Sequence, residues 1–169
     1  MGKTSKSGLG IGVGSSPQGS ITQSDFDNKI KELLTKDEML KQLIVAKVKF
    51  NADDVLFVTN DKSGQLIWLE KGNDNAGLNH ILKKHSDDFF AKHNVSKDNI
   101  ASHINEIVTN GNIEYARVTK RGNRKGIEKL YSHNGKYYLL TGAGTNGFMV
   151  SAYPIKEKEA IKLKVRYNK

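Results

Sequence analysis

The feature that most constrains this chain is a change of hydrophobic period at Gly111. Before it, apolar residues recur every three to four positions, as on one face of a helix; after it they alternate, as on one face of a strand. Past Gly111, residues 113–119, 127–133, 136–141 and 147–154 all alternate, with short segments rich in Gly, Asn and Arg between them. Asn134-Gly135 is a hairpin signal, because both residue types tolerate the positive φ of a type I′ turn. Strands joined this closely form an antiparallel meander, and one of its faces must be covered. The upstream helices supply the cover. The expected class is therefore α+β, with N-terminal helices packed on a C-terminal antiparallel sheet of about four strands. Residues 161–167 are expected to add an edge strand.

Upstream, Phe26, Ile30, Leu33 and Leu34 fall at helical spacing, and so do Leu40, Leu43, Ile44 and Val48. Thr35 and Glu38 form a Thr-x-x-Glu capping box, which predicts one helix stopping and another starting there. Two short strands are expected at 55–59 and 65–69, across a Lys62-Ser63-Gly64 turn. Helices are expected at 75–84 and 96–109. The second would be capped by Ser96, striped by Ile100, Ile104, Ile107 and Val108, and stopped by Gly111. Residues 1–24 are mostly Gly, Ser, Lys and Thr and read as a flexible linker. Their glycines lack the Gly-Lys-Ser/Thr ending of a phosphate loop. A helical segment is expected at 25–50 and the functional domain at 51–169.

Composition narrows the function. The 169 residues include no cysteine, which excludes disulfides and Cys-based zinc sites. No apolar run approaches the roughly 20 residues that cross a bilayer. Residues 1–24 have no apolar core of a secretory signal, so export is expected only as part of a larger protein. The charge is uneven: residues 112–169 hold 13 Lys and Arg against 4 Asp and Glu, a net +9, while 51–111 are net −3. A basic sheet of this kind suits a phosphate backbone. A solvated surface has the same composition, and charge alone does not separate RNA from DNA or from an acidic protein.

RNA cleavage needs a base for the 2′-OH proton, an acid for the 5′-oxygen and positive charge near phosphorus. Histidine serves both proton transfers near neutral pH. Of the five histidines, His103 lies on an apolar stripe, while His93, in a polar stretch, and His133, beside the Asn-Gly turn, are expected at the surface. His80 and His85 come together, but five residues set two side chains roughly 140° apart on a helix. They are expected to converge only if the helix ends near His85. The spacing does not fit a zincin, whose histidines are four apart. On the last strand, alternation puts Phe148, Val150 and Ala152 in the core and Met149, Ser151 and Tyr153 on the other face. Ser151 would hold a phosphate oxygen and Tyr153 would stack a base. Arg117 shares a face with Tyr115, and Lys129 with Tyr131. Lys120, Arg121 and Arg124 lie on a glycine-hinged basic turn, which an ordinary solvated hairpin tip would also resemble.

The motif Gly-Leu-x-His-Ile-x-x-Lys-His at 77–85, then basic strands, then Ser-x-Tyr-Pro at 151–154, resembles the superfamily of barnase, EndoU, colicin-type tRNases and RelE-like nucleases. The EndoU branch is the most similar. The resemblance implies a metal-independent endoribonuclease without cofactor, with the nuclease domain at 51–169. It implies His80 and His85 as the acid–base pair, and Lys129, in competition with Arg117 and Lys120, as the catalytic cation. Ser151, Tyr153 and Thr145 would contact substrate, with Arg117, Lys120, Arg121 and Arg124 on the backbone. It also implies an RNA target such as tRNA and an acidic cognate immunity protein. The setting would be the tip of a secreted or surface-delivered effector acting in the target-cell cytoplasm. The alternatives are a non-catalytic nucleic-acid-binding module and an intracellular phage or stress RNase of the same fold.

Overall fold

The two periods resolve, in chain order, into α1 (Gln23–Val45), β1 (Val55–Asn60), β2 (Leu66–Glu70), α2 (Leu78–His93), α3 (Ile100–Asn110), β3 (Asn112–Arg121), β4 (Arg124–His133), β5 (Lys136–Ala143), β6 (Phe148–Ile155) and α4 (Glu157–Tyr167). A short 3₁₀ turn, Lys97–Asn99, leads into α3. The structure is a computed structural model and describes residues 22–143 and 145–168. Residues 1–21 of the expected linker lie outside the described residues, and Gln23 and Ser24 already belong to α1.

The chain divides into two units between Glu38 and Met39. The described part of the first is the N-terminal stretch of α1, where Phe26, Ile30, Leu33 and Leu34 are exposed. Thr35 caps nothing. Its hydroxyl donates to the Lys31 carbonyl one turn back, so the side chain is satisfied inside the helix. The helix break expected near Thr35 is replaced by one helix of 23 residues.

In the second unit the sheet runs β1-β2-β6-β5-β4-β3. The meander from β3 to β6 is antiparallel, as the alternation predicts. The sheet has six strands rather than about four, and it is mixed, because β2 lies parallel to β6 at Trp68 and Phe148. Gly147 permits this junction. At its φ of 98° a Cβ would lie 1.9 Å from the Leu66 carbonyl oxygen, so any other residue would push β2 away.

Helices α2 and α3 cover one face. Ile81, Phe89, Ile100, Ile104, Ile107 and Val108 pack there against Ile67, Leu69, Tyr131, Leu140 and Met149. Each such side chain contributes about 1.5–3 kcal/mol when fully buried. On the other face α4 seats Ala160 on Tyr115, Leu130, Leu139 and Ile155, with Leu163 and Tyr167 beside them. Residues 161–167, expected as a strand, are this helix. Ala160, Leu163 and Tyr167 share one helical face, and Ile161 and Val165, which made the alternation, are exposed. Glu157 and Glu159 in its first turn and Lys164 and Arg166 in its last complement the helix dipole. A third cluster joins Leu43, from the end of α1, to Val55, Val58 and Trp68. No described helix is long and apolar enough to cross a membrane.

One irregularity decides which way β6 faces. Between Thr141↔Ser151 and Gly142↔Met149 the register slips by one residue, at Val150. A one-residue bulge reverses the alternation beyond it. Met149 therefore enters the core with Ala152, while Phe148 packs near Trp68. The expected set of Phe148, Val150 and Ala152 is split. Ser151 and Tyr153 still share a face, the one that α4 partly covers.

Candidate active site

Helix α2 starts at the bulge. The Gly77 N–H donates to the Val150 carbonyl at 2.9 Å, and Gly77 has a φ of 86° with no room for a Cβ beside the Glu70 carbonyl. From there α2 runs on to His93 instead of ending near His85. Its inward stripe is Ile81, His85 and Phe89, four residues apart, so an imidazole occupies an apolar row. Ile81 and Phe89 are fully buried. The His85 ring stacks on Tyr153 with centroids 4.6 Å apart and an interplanar angle of 22°.

His80 and His85 converge without a helix end. Their ring centroids are 5.9 Å apart, nearly edge-on at 76°. Helical side chains lean toward the N-terminus, so His85 leans back over the turn that carries His80. The His80 Nδ1 lies 2.8 Å from the Asp74 carbonyl oxygen. A carbonyl only accepts, so Nδ1 carries the hydrogen and Nε2 is left for another partner. Burial, and then the charge of His80, hold the His85 pKa below the usual imidazole value, against the opposing pull of Asp88. His85 is therefore mostly neutral at pH 7. Its Nδ1 is buried and has no hydrogen-bond partner.

Ser151 is 6% exposed and its Oγ also lacks a partner. An unanswered buried hydroxyl costs roughly 1–3 kcal/mol, a cost that an incoming phosphate oxygen or water removes. Cross-strand register carries the same face from Ser151 through Thr141 and Glu128 to Arg117. Glu128 accepts from Arg117 Nε at 2.8 Å and from the Tyr115 hydroxyl at 2.9 Å. The Arg117 guanidinium lies 4.0 Å from the centre of the Tyr167 ring. Burial, and then the nearby Glu128 charge, raise the Tyr153 pKa. An open cleft of about 700 Å³ follows this face, lined by Arg117, Lys120, Arg124, Glu128, Thr141 and Val150 among others. At its tip Lys120 pairs with Lys125 and Arg121 with Arg124. Like charges placed directly opposite are unfavourable, and a bound anion relieves them.

Lys129 is not part of this group. It is one residue from Glu128, so it points to the opposite face, where it is 2% exposed. Its ammonium donates to Asp61 Oδ2 at 2.5 Å and Ser63 Oγ at 3.2 Å. It does share a face with Tyr131, whose hydroxyl donates to the same Asp61 oxygen at 2.9 Å. Thr145 also stands apart: it is exposed in the β5–β6 loop, with its carbonyl accepting from Gln65 Nε2 at 3.4 Å. Arg121 and Arg124 sit at the exposed hairpin tip, on the same face as Arg117.

The other histidines gather elsewhere. His103 Nε2 is 2.8 Å from the Tyr138 hydroxyl, which fits a boundary histidine. His133 and His93, expected at the surface, are half-buried. His133 Nε2 lies 3.1 Å from Glu106. His93 packs its edge on Tyr138 because α2 extends that far, and burial pushes it down to about 4. Among the described residues, no three His, Cys, Asp or Glu side chains gather as a metal site would require.

Sequence reasoning missed Glu128 and Thr141. The signal for Glu128 was present: only Glu114 and Glu128 are acidic between residues 112 and 156. Counting alternation back from Leu130 sets Glu128 on the face of Arg117. Thr141 had no signal of its own, because its place depends on pairing across two strands.

Two adjoining imidazoles, an unanswered hydroxyl and a basic cleft are the groups a phosphodiester-cleaving domain needs. A family model described as phage-Barnase-EndoU-ColicinE5/D-RelE like nuclease1 matches residues 62–159, more than half of the chain. The chain belongs to this nuclease family. The match takes in His80, His85, Glu128, Ser151 and Tyr153. No curated protein matches the chain.

Proposed function

We propose that this domain is an EndoU-like endoribonuclease that cleaves RNA by metal-independent transesterification, with His80 and His85 as the acid–base pair. The observation that carries the reading is the His80–His85–Tyr153 contact beside the unpartnered Ser151 hydroxyl. His85, kept neutral by burial, takes the proton of the 2′-OH as O2′ bonds to phosphorus. The bond from phosphorus to O5′ breaks, and protonated His80 gives its proton to O5′. The products are a 2′,3′-cyclic phosphate and a 5′-hydroxyl. Ser151 donates to a phosphate oxygen, and Arg117 with the basic hairpin neutralises the backbone. One face of Tyr153 is taken by His85, so its first role is to orient that ring.

Glu128 supports a second version of the same chemistry. Held by Arg117 and Tyr115 on the Ser151 face, it is placed to act as the base in the stead of His85. Loss of cleavage in Glu128→Gln with His85→Ala still active would select it.

The biological setting is part of the proposal. The target is tRNA, reached in the cytoplasm of another cell by an effector that carries this domain. The net +9 of residues 112–169 supports an acidic immunity protein that covers the sheet. The word phage in the family description favours, as the second setting, a phage-associated RNase.

The test is to incubate purified protein with total RNA, with and without chelator and over a range of salt, and to map the product ends. Discrete fragments with 2′,3′-cyclic phosphate and 5′-hydroxyl ends, unaffected by EDTA and weakened by salt, are expected. Loss of cutting in EDTA or 5′-phosphate ends would overturn the mechanism. RNA that is bound but never cut would make the domain a binding module.

A further inference from the structure

Beyond His85, helix α2 carries Asp88 and Lys92, three and seven residues on, so all three lie along one stripe of the helix. Lys92 Nζ is 2.5 Å from Asp88 Oδ1. The other carboxylate oxygen, Oδ2, is 3.7 Å from His85 Nδ1. That is an ion-pair distance, too long for a hydrogen bond, and it explains how Nδ1 is buried yet unpartnered. The Tyr153 stack fixes the plane of the ring, and within that plane Nδ1 is on the Asp88 side.

We propose that Asp88, clamped by Lys92, is the positioning residue of His85: it receives the Nδ1 hydrogen, leaves Nε2 free for the substrate proton, and steadies the imidazolium while the ring holds that proton. The inference rests on the reading of His85 as a proton-transfer group.

An Asp–Lys pair at this spacing is commonly a weak, solvent-screened surface pair. This one differs because its second oxygen faces a buried, unanswered ring nitrogen. His80 provides the contrast. Its Nδ1 meets a neutral backbone carbonyl, and the Asp74 carboxylate is turned to Lys83 instead. The two imidazoles are therefore supported differently, one by a dipole and one by a charge, which separates two proton-transfer roles.

The groups facing His85 are His80, Asp88 and Lys92 from its own helix and Tyr153 from β6. Tyr153 is uncharged at neutral pH because burial raises its pKa. Glu128 of β4 and Glu159 of α4 act on Tyr153 rather than on His85 directly. Asp88 raises the His85 pKa and Lys92 lowers it, so their removal must act in opposite directions.

The experiment uses the full chain as wild type, Asp88→Asn, Asp88→Glu and Lys92→Met. The His85 imidazole is titrated by NMR, its signal identified by its absence in His85→Ala, and kcat and KM are measured across pH. Asp88→Asn is expected to lower the His85 midpoint by about half to one pH unit. Lys92→Met is expected to raise it, because one opposing charge is gone and Asp88 is free to close on Nδ1. Asp88→Glu, which keeps the charge, should stay near wild type. In Asp88→Asn, kcat should fall roughly tenfold or more with little change in KM. Equal midpoints in wild type, Asp88→Asn and Lys92→Met would overturn the proposal, and so would shifts of the same sign. If His80→Ala and His85→Ala both keep full activity, the proposed function fails, while the NMR midpoints still decide the Asp88 question.

Discussion

Two polar clusters lie on opposite faces of the same sheet, and they differ in whether their hydrogen bonds are closed. Around Asp61, Oδ2 receives Lys129 and Tyr131, and Oδ1 receives the hydroxyl and amide of Ser63. Burial pushes the Asp61 pKa up, but the bonds from Lys129, Ser63 and Tyr131 and the Lys129 charge outweigh it and hold it below the usual value. Around Ser151 and His85 the same kinds of atoms are left open. A satisfied network needs no ligand and fixes the fold. An unsatisfied one keeps its interactions for something that arrives later. The difference separates Lys129, whose ammonium is held inside the closed network, from the residues proposed to act on substrate.

That comparison is broken most directly at the histidines. His80→Ala and His85→Ala should each lower turnover about 10²–10⁴-fold, or roughly 3–5 kcal/mol of barrier, while the melting curve stays close to wild type. Both variants cutting RNA at the wild-type rate would show that the open cluster is not catalytic.

The closed cluster should give the opposite pattern. Lys129→Met leaves the Asp61 carboxylate buried without its partner and should cost about 3–5 kcal/mol of stability, read by denaturant unfolding. Turnover per folded molecule should not change. A Lys129→Met protein that unfolds like wild type but cannot cut RNA would return Lys129 to the catalytic role that its family resemblance implies.

The smallest effect is the sharpest contrast. Ser151→Ala removes a hydroxyl with no partner, so stability should hold or rise slightly, while kcat/KM falls by up to about tenfold through one lost hydrogen bond to substrate. A drop in stability with unchanged kinetics would mean that Ser151 is bonded within the folded chain and belongs to the closed kind of cluster.

Much of this was written locally. The change of period at Gly111 sets the order of helices and strands, and Asn134-Gly135 sets a tight hairpin, with φ values of 51° and 75°. The His80/His85 pair and the shared face of Ser151 and Tyr153 were legible in a few consecutive residues, because side-chain direction within one element depends on spacing alone. Three features were not legible. Residues 161–167 alternate like a strand, yet they form α4 because Tyr115, Leu130 and Leu139 offer a face that only its helical stripe of Ala160, Leu163 and Tyr167 fits. Lys129 alternates as expected along β4, but which face is buried against Asp61 depends on a residue 68 positions away. The Val150 bulge and the parallel join of β2 to β6 bring α2 beside Tyr153 through strand pairing and the Gly77–Val150 bond, which no single segment encodes. The sequence by itself determined most of the elements, the meander above all, and the residue types fit for proton transfer. Tertiary structure alone decided which of them meet and which are answered, because neighbouring strands, face burial and unpaired atoms are properties of contacts between distant segments.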